Sequence, residues 1–200
     1  MSTTPAPEPG PSTGPERIRA LAHPVRLEIL EFLERVTEAT ATECAQHTGQ
    51  TVANCSFHLR TLAKYGFIAA ATPRGREKPW RSRTDALDLR PDVSSPASVR
   101  AAGELASLTL AREADRLRAY FARAAAEPGE WRRASMLTSD TFWATAGELR
   151  ALADEIIALT ARFDGRSEPA NRPQGARLSR LFAAVNPEPE QEPRPGGQSR

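Results

Sequence analysis

The stretch CAQHTGQTVANCSFH, from Cys44 to His58, holds both cysteines of the chain and two of its three histidines. The pattern is Cys-x-x-His, seven residues, then Cys-x-x-His. Thiolates and imidazoles so spaced resemble the donor set of a zinc site. A thiol beside an imidazole is also how a cysteine nucleophile meets its base. Each chemistry carries a condition. Zinc needs four converging donors, commonly on turns or knuckles. A catalytic thiol needs an exposed, electropositive setting and a third group that orients the base. The elements carrying these residues therefore decide between the readings.

Those elements read as helices. ERIRALA, from Glu16, is a short helix that stops at His23-Pro24, because the residue before proline is pushed out of the helical region. Pro24 suits the first position of the next helix, VRLEILEFLERV. There Val25, Ile29, Leu30, Leu33 and Val36 form one apolar stripe. TATECAQHT is a third helix, ended by Gly49, and Thr51 is the N-cap of a fourth, VANCSFHLRTLAKY, ended by Gly66. Two helices separated by a few residues around a glycine make a helix-turn-helix. After Gly66 the period changes. FIAAAT, PRGREK and PWRSRT read as strand, basic turn and strand. A hairpin after a helix-turn-helix is a wing, and the proline-rich residues 90–96 lead out of it.

Placed on these helices, the four reactive-looking residues separate. Cys55 falls on an inward stripe with Val52, Leu59 and Leu62, and Cys44 faces inward on the preceding helix. His47 and His58 are expected outward, His58 on the DNA side. Metal and catalytic readings are both disfavoured. No Gly-rich phosphate loop or paired-carboxylate motif offers another enzyme chemistry. One redox idea remains: Cys44 and Cys55 point inward from two packed helices, and their oxidation would distort the helix pair.

Charge points elsewhere. Residues 51–90 carry eight Lys/Arg against three Asp/Glu, net +5, whereas residues 1–50 are net −3 and residues 91–165 net −2. A short basic region of this kind is the footprint of a polyanion-binding surface. On the fourth helix, Asn54, Ser56 and Phe57 are expected at base edges, with Arg60 and Lys64 on phosphates and Thr51 and His58 also among the DNA-binding residues. Arg74, Arg76, Lys78 and Arg81 of the wing are expected on the backbone or in the minor groove. A protein-interaction module is the alternative, but it has no need of this charge.

The fold class expected is mainly α with a small β-wing, a winged helix-turn-helix followed by long C-terminal helices. Residues 1–15 read as a disordered tail, 16–90 as the DNA-binding domain and 97–165 as a helical dimerisation or effector region. Residues 166–200 read as a mostly disordered tail with a docked segment at 176–185, a strand or a helical turn. Helices are expected from about Ala97 to Ala125 and from about Ser139 to Phe163, with a short strand near Ala134–Leu137. An effector pocket is conceivable near Tyr120, Trp131 and Trp143. Residues 2–14 have no basic n-region or apolar run, and no stretch reaches eighteen apolar residues, so a cytoplasmic protein with reduced thiols and no membrane contact is expected.

These residues carry a resemblance. LAHPVRLEILEFL is similar to the opening helices of ArsR-like winged-helix regulators, ECAQHTGQTVANCSFHLRTLAKYGFI to their helix-turn-helix, and REKPWRSR to their wing. The match covers roughly residues 16–90, and the remainder resembles the C-terminal extension of actinobacterial-type members. The resemblance implies a dimeric repressor of double-stranded DNA, answering to an unidentified small-molecule effector. No cofactor is expected. The Cys-x-Cys pair of metal-sensing members is absent, and no histidine follows residue 58.

Overall fold

The structure, a computed structural model, describes residues 14–83, 89 and 91–188. Most of the expected tail at 1–15 lies outside the described residues. Seven helices and three short strands follow: α1 (Pro15–Leu21), α2 (Pro24–Val36), β1 (Glu38–Ala39), α3 (Ala41–Thr48), α4 (Val52–Lys64), β2 (Ile68–Ala70), β3 (Trp80–Ser82), α5 (Pro96–Arg123), α6 (Gly129–Ala134) and α7 (Ala146–Ala161). The architecture is mainly α with a small β-wing.

Local chemistry sets most boundaries. The His23 ring Nδ1 accepts from Val25 N–H at 3.2 Å, and Pro24 opens α2 behind it. Thr40 and Glu43 form a reciprocal capping box that starts α3. Gly49, at φ +67°, ends α3 in the left-handed region that favours glycine. Two residues later the Thr51 hydroxyl accepts from Asn54 N–H at 3.2 Å and opens α4. The helix-turn-helix is therefore punctuated at every end by side chains or by glycine.

The sheet has the order β1-β3-β2, with Ile68 opposite Ser82 and Glu38 opposite Arg81. β1 was not legible, because two residues are too short for a period-2 pattern. It supplies the wing with a third strand and places Glu38 beneath it. The core gathers Ile18, Leu21, Ile29, Leu33, Leu59, Leu62 and Phe67, all essentially inaccessible, with Ala101 and Leu105 of α5 closing it from outside. α1 packs mainly against α5, and α5 is also bound to α2 through ions. Burial alone would raise the Glu31 carboxyl, but hydrogen bonds from Arg112 and Arg116 of α5 overcome it and hold that carboxyl down at about 2.

Several expectations are corrected. Val36 and Val52, placed on inward stripes by spacing, are more than 40% exposed, because each lies at a helix end beyond the packed turns. Residues 135–145 are not helical, so Phe142 precedes α7 instead of lying on it. Thr145 and Glu148 form the capping box that fixes the later start. Residues 134–137 hold the end of α6 and not a strand. Residues 176–185 form neither strand nor helical turn; they lie extended along the body.

Candidate nucleic-acid interface

α4 is held to the body by Cys55, His58, Leu59 and Leu62, all buried. That leaves one side to solvent. Thr51, Phe57, Arg60 and Lys64 are exposed, with Asn54 and Ser56 half-buried beside them. Phe57 is the notable member, since 55% of a large apolar side chain faces water. Asn54 is steadied by its amide donating to Gln50 Oε1 at 2.9 Å. The Thr51 hydroxyl is already engaged as the cap. Lys64 lies 5.2 Å over the Tyr65 ring, with its charge at the far end of the helix.

The wing completes the surface. Arg74 and Glu77 exchange backbone hydrogen bonds at 3.1 Å in both directions, closing a tight turn around Gly75 at φ +64°. The turn stands beside α4 and the start of α3. A cleft of about 550 Å³ between them is lined by Thr42, Ser56, Arg60, Arg76, Lys78 and Trp80. Three cations from two elements thus face one open cleft. None of the three makes an ion pair among the described residues. Such a surface attracts phosphate oxygens by charge and presents Asn54, Ser56 and Phe57 beside them.

Not all the expected contacts share this face. Arg81 lies in β3, where Glu38 holds it at 2.8 Å and Glu168 at 3.2 Å, and its Nε is buried. Arg74 reaches Glu38 at 3.6 Å and Glu43 at 3.8 Å. These two arginines fasten the wing to β1 and α3, a role that Glu38 creates and the sequence pattern hid. Their charge is partly neutralised within the fold.

His58 is the clearest correction. Spacing put it outward, yet it is only 4% exposed. Its ring lies 4.6 Å from the His23 ring at the head of α2, and the Phe57 ring meets its edge. Arg26 stands close. Burial lowers the pKa of both histidines below the ordinary 6.5, with Arg26 adding to the effect on each and His23 to that on His58. His58 Nδ1 has no hydrogen-bond partner among the described residues. The lowered values favour a neutral pair packed between α2 and the back of α4. The sign of the linkage follows. Both folded values lie below the unfolded one, so the stabilisation is complete above pH 6.5 and is lost as pH falls through the lowered values. The urea midpoint is expected to drop between pH 7.5 and 5.5, and His58→Gln is expected to flatten that dependence. An unchanged midpoint across the range contradicts the neutral pair.

The cysteines behave as core. Both are free thiols with no exposed surface. Burial, with Cys55 and Glu43 nearby, pushes Cys44 up to about 12, so it carries almost no thiolate at neutral pH. The Cys55 sulfur sits 3.4 Å from the Thr48 hydroxyl. A neutral buried thiol resists oxidation, which argues against the redox pair. His47 stacks on Phe32 at 4.2 Å, away from the other three. Among the described residues no group of three or more His, Cys, Asp or Glu is placed to hold a metal ion. The aromatics considered for an effector pocket do not gather either. Trp143 is fully exposed, and Trp131 lies under Arg177. No helix among the described residues is long and apolar enough to cross a membrane.

Known proteins bear on this geometry. Residues 21–69 match a family described as a helix-turn-helix domain. The chain is 33% identical over 96 residues to a Streptomyces lividans protein described as a probable mercury resistance operon repressor. That alignment takes in 48% of this chain and 66% of the relative, so the chain spans just under two thirds of the relative's length. A solved double mutant of Lactococcus lactis ZitR in apo form is 15% identical, with 72% of this chain and 84% of that one covered and a TM-score of 0.31.

Proposed function

We infer, from the helix-turn-helix domain matched over residues 21–69 and the resemblance to ArsR-like regulators, that this chain is a sequence-specific DNA-binding transcriptional repressor. The observation that carries the reading is the convergence of Arg60 from α4 with Arg76 and Lys78 from the wing on one open cleft. α4 enters the major groove, with Asn54 suited to an adenine edge, Phe57 to a thymine methyl and Ser56 to either. Thr51 caps the helix at the groove, while Arg60 and Lys64 take phosphates. The wing follows the neighbouring backbone through Arg76 and Lys78. Arg74 and Arg81 hold the wing in position for them. The relative's printed description supports repression over activation.

Residues 16–90 read DNA, and 97–165 pair two copies so that an inverted repeat is bound by both. The exposed apolar side chains of α5 and α7, among them Leu117, Phe121, Ile157 and Leu159, support a homodimer. A cytoplasmic location fits a reader of DNA of this kind. The test is a gel shift with the promoter fragment of its own gene against a scrambled fragment of equal length. The expected result is a shift that only the promoter fragment competes away, with specific binding at least about a thousandfold tighter than non-specific binding. Equal competition by both fragments removes sequence-specific reading. No shift at all favours a protein-interaction module.

A further inference from the structure

Residues 177–184 run along α5 as an extended segment. Their attachments are all side chains. The Arg177 guanidinium lies 4.6 Å over the Trp131 ring and pairs with Glu127 at 2.9 Å. Arg180 bridges Glu34 of α2 at 3.2 Å and Glu113 of α5 at 3.5 Å. Phe182, Ala183 and Ala184 then sit against an apolar groove that α1 and α5 line with Ile18, Leu105 and Leu110. Among the described residues, no backbone hydrogen bond joins 177–184 to the body. Phe182 remains 45% exposed and leaves a cleft of about 480 Å³ beside it. A few ion pairs with half-exposed arginines and a half-covered phenyl, without a backbone hydrogen bond, make an attachment that a competitor can displace.

The groove overlaps a longer apolar surface. Val99, Ala106, Leu110, Leu117 and Phe121 follow one another at helical spacing along α5, and each is exposed. The 28 residues of α5 span about 42 Å. No charged residue interrupts this stripe, although charges flank it throughout. A charge-free stripe on one helix is its own complement under a twofold axis, which a second copy of the chain satisfies without any other surface. Ala106 and Leu110 belong to both the stripe and the groove.

We propose that residues 177–184 are an intramolecular strap that competes with a second copy of this chain for the α1–α5 groove, and so weaken dimerisation. The proposal rests on the dimeric DNA reader inferred above. When the strap is seated, Phe182 lies beside Ala106 and Leu110 in the middle of the stripe, so a second helix cannot lie along its whole length. When it leaves, the whole stripe can pair, and the two recognition helices are brought to one operator. The strap's charges lie on ion pairs separate from the stripe, so they can be altered without touching it.

The test is sedimentation equilibrium on the full chain and two variants. Arg177→Ala/Arg180→Glu/Phe182→Ala releases the strap, and about tenfold tighter dimerisation is expected, the size of a few exposed ion pairs and one half-buried ring. Leu117→Glu, outside the strap contacts, is expected to weaken the dimer at least as much. Circular dichroism checks that both variants stay folded. A full chain that is already a tight dimer, unchanged in the triple variant, overturns the strap and leaves the dimer standing. All three proteins remaining monomeric overturns both. Leu117→Glu dimerising like the full chain overturns the choice of the α5 stripe.

Discussion

Replacing Arg60 and Arg76 together by alanine is expected to weaken promoter binding by about a hundredfold per protomer and to reduce the salt slope by about two per protomer, about four in the dimer. The magnitude comes from two charge-assisted contacts at roughly 1.5–3 kcal/mol each, taken at the low end because both side chains are exposed. The slope change comes from counting cations, since each neutralised phosphate releases counterions and contributes about one. Neither arginine supports the fold among the described residues, so thermal stability is expected to stay within about 0.5 kcal/mol. Arg81→Ala is expected to behave differently. Its partners are Glu38 and Glu168, so its loss loosens the wing before it subtracts a phosphate contact. Arg118→Ala on α5, 75% exposed and far from the cleft in sequence, is the control with no effect on binding. A double variant that binds as tightly as the unmodified protein removes the cleft from the interface. Affinities are read by fluorescence anisotropy at several salt concentrations.

Phe67→Ala is expected to cost about 3–5 kcal/mol, read as a shift in the urea midpoint with an unchanged slope. The ring has no exposed surface and is the largest fully buried side chain. It follows Gly66, which at φ +75° turns the chain from α4 into β2. The backbone carries further structure at this point: Phe67 N–H donates to Leu62 O at 3.0 Å, and Phe67 O accepts from Arg83 N–H at 3.0 Å. Arg17 of α1 lies 5.0 Å over the ring face. One side chain thus joins α1, α4 and the wing. Small domains are stable by only about 5–15 kcal/mol, so this single cavity removes a large share. A loss under 1 kcal/mol would mean that the core collapses to fill the space.

The helix-turn-helix was readable because its punctuation is chemical. Thr40, Gly49, Thr51 and Gly66 each mark a boundary by a capping oxygen or a left-handed turn, and the structure places each where its chemistry requires. The basic cleft was readable as composition, since +5 over residues 51–90 stands out against acidic flanks. Which cations stand in the cleft was not readable. Arg74 and Arg81 look like Arg76 in sequence, and only the hidden strand β1, through Glu38, tells them apart. His58 was misplaced for a related reason. Helical spacing gives a direction on the wheel, but the inward arc of α4 is wide enough to include His58, because His23 from α2 meets it there. Val52, at the helix start, lies beyond the neighbours that would bury it. The late start of α7 was marked by the Thr145–Glu148 capping box, a signal present in the sequence but not used in placing that helix from about Ser139.

The central claim is that α4 and the wing together hold DNA through Arg60, Lys64, Arg76 and Lys78. Its most direct measurement is the affinity for the promoter fragment between 50 and 200 mM salt. Four phosphate contacts per protomer, eight in a dimer, predict a log–log slope of about −7 and a loss of about four orders of magnitude over that range. A slope near zero, with binding intact at 200 mM, contradicts the interface.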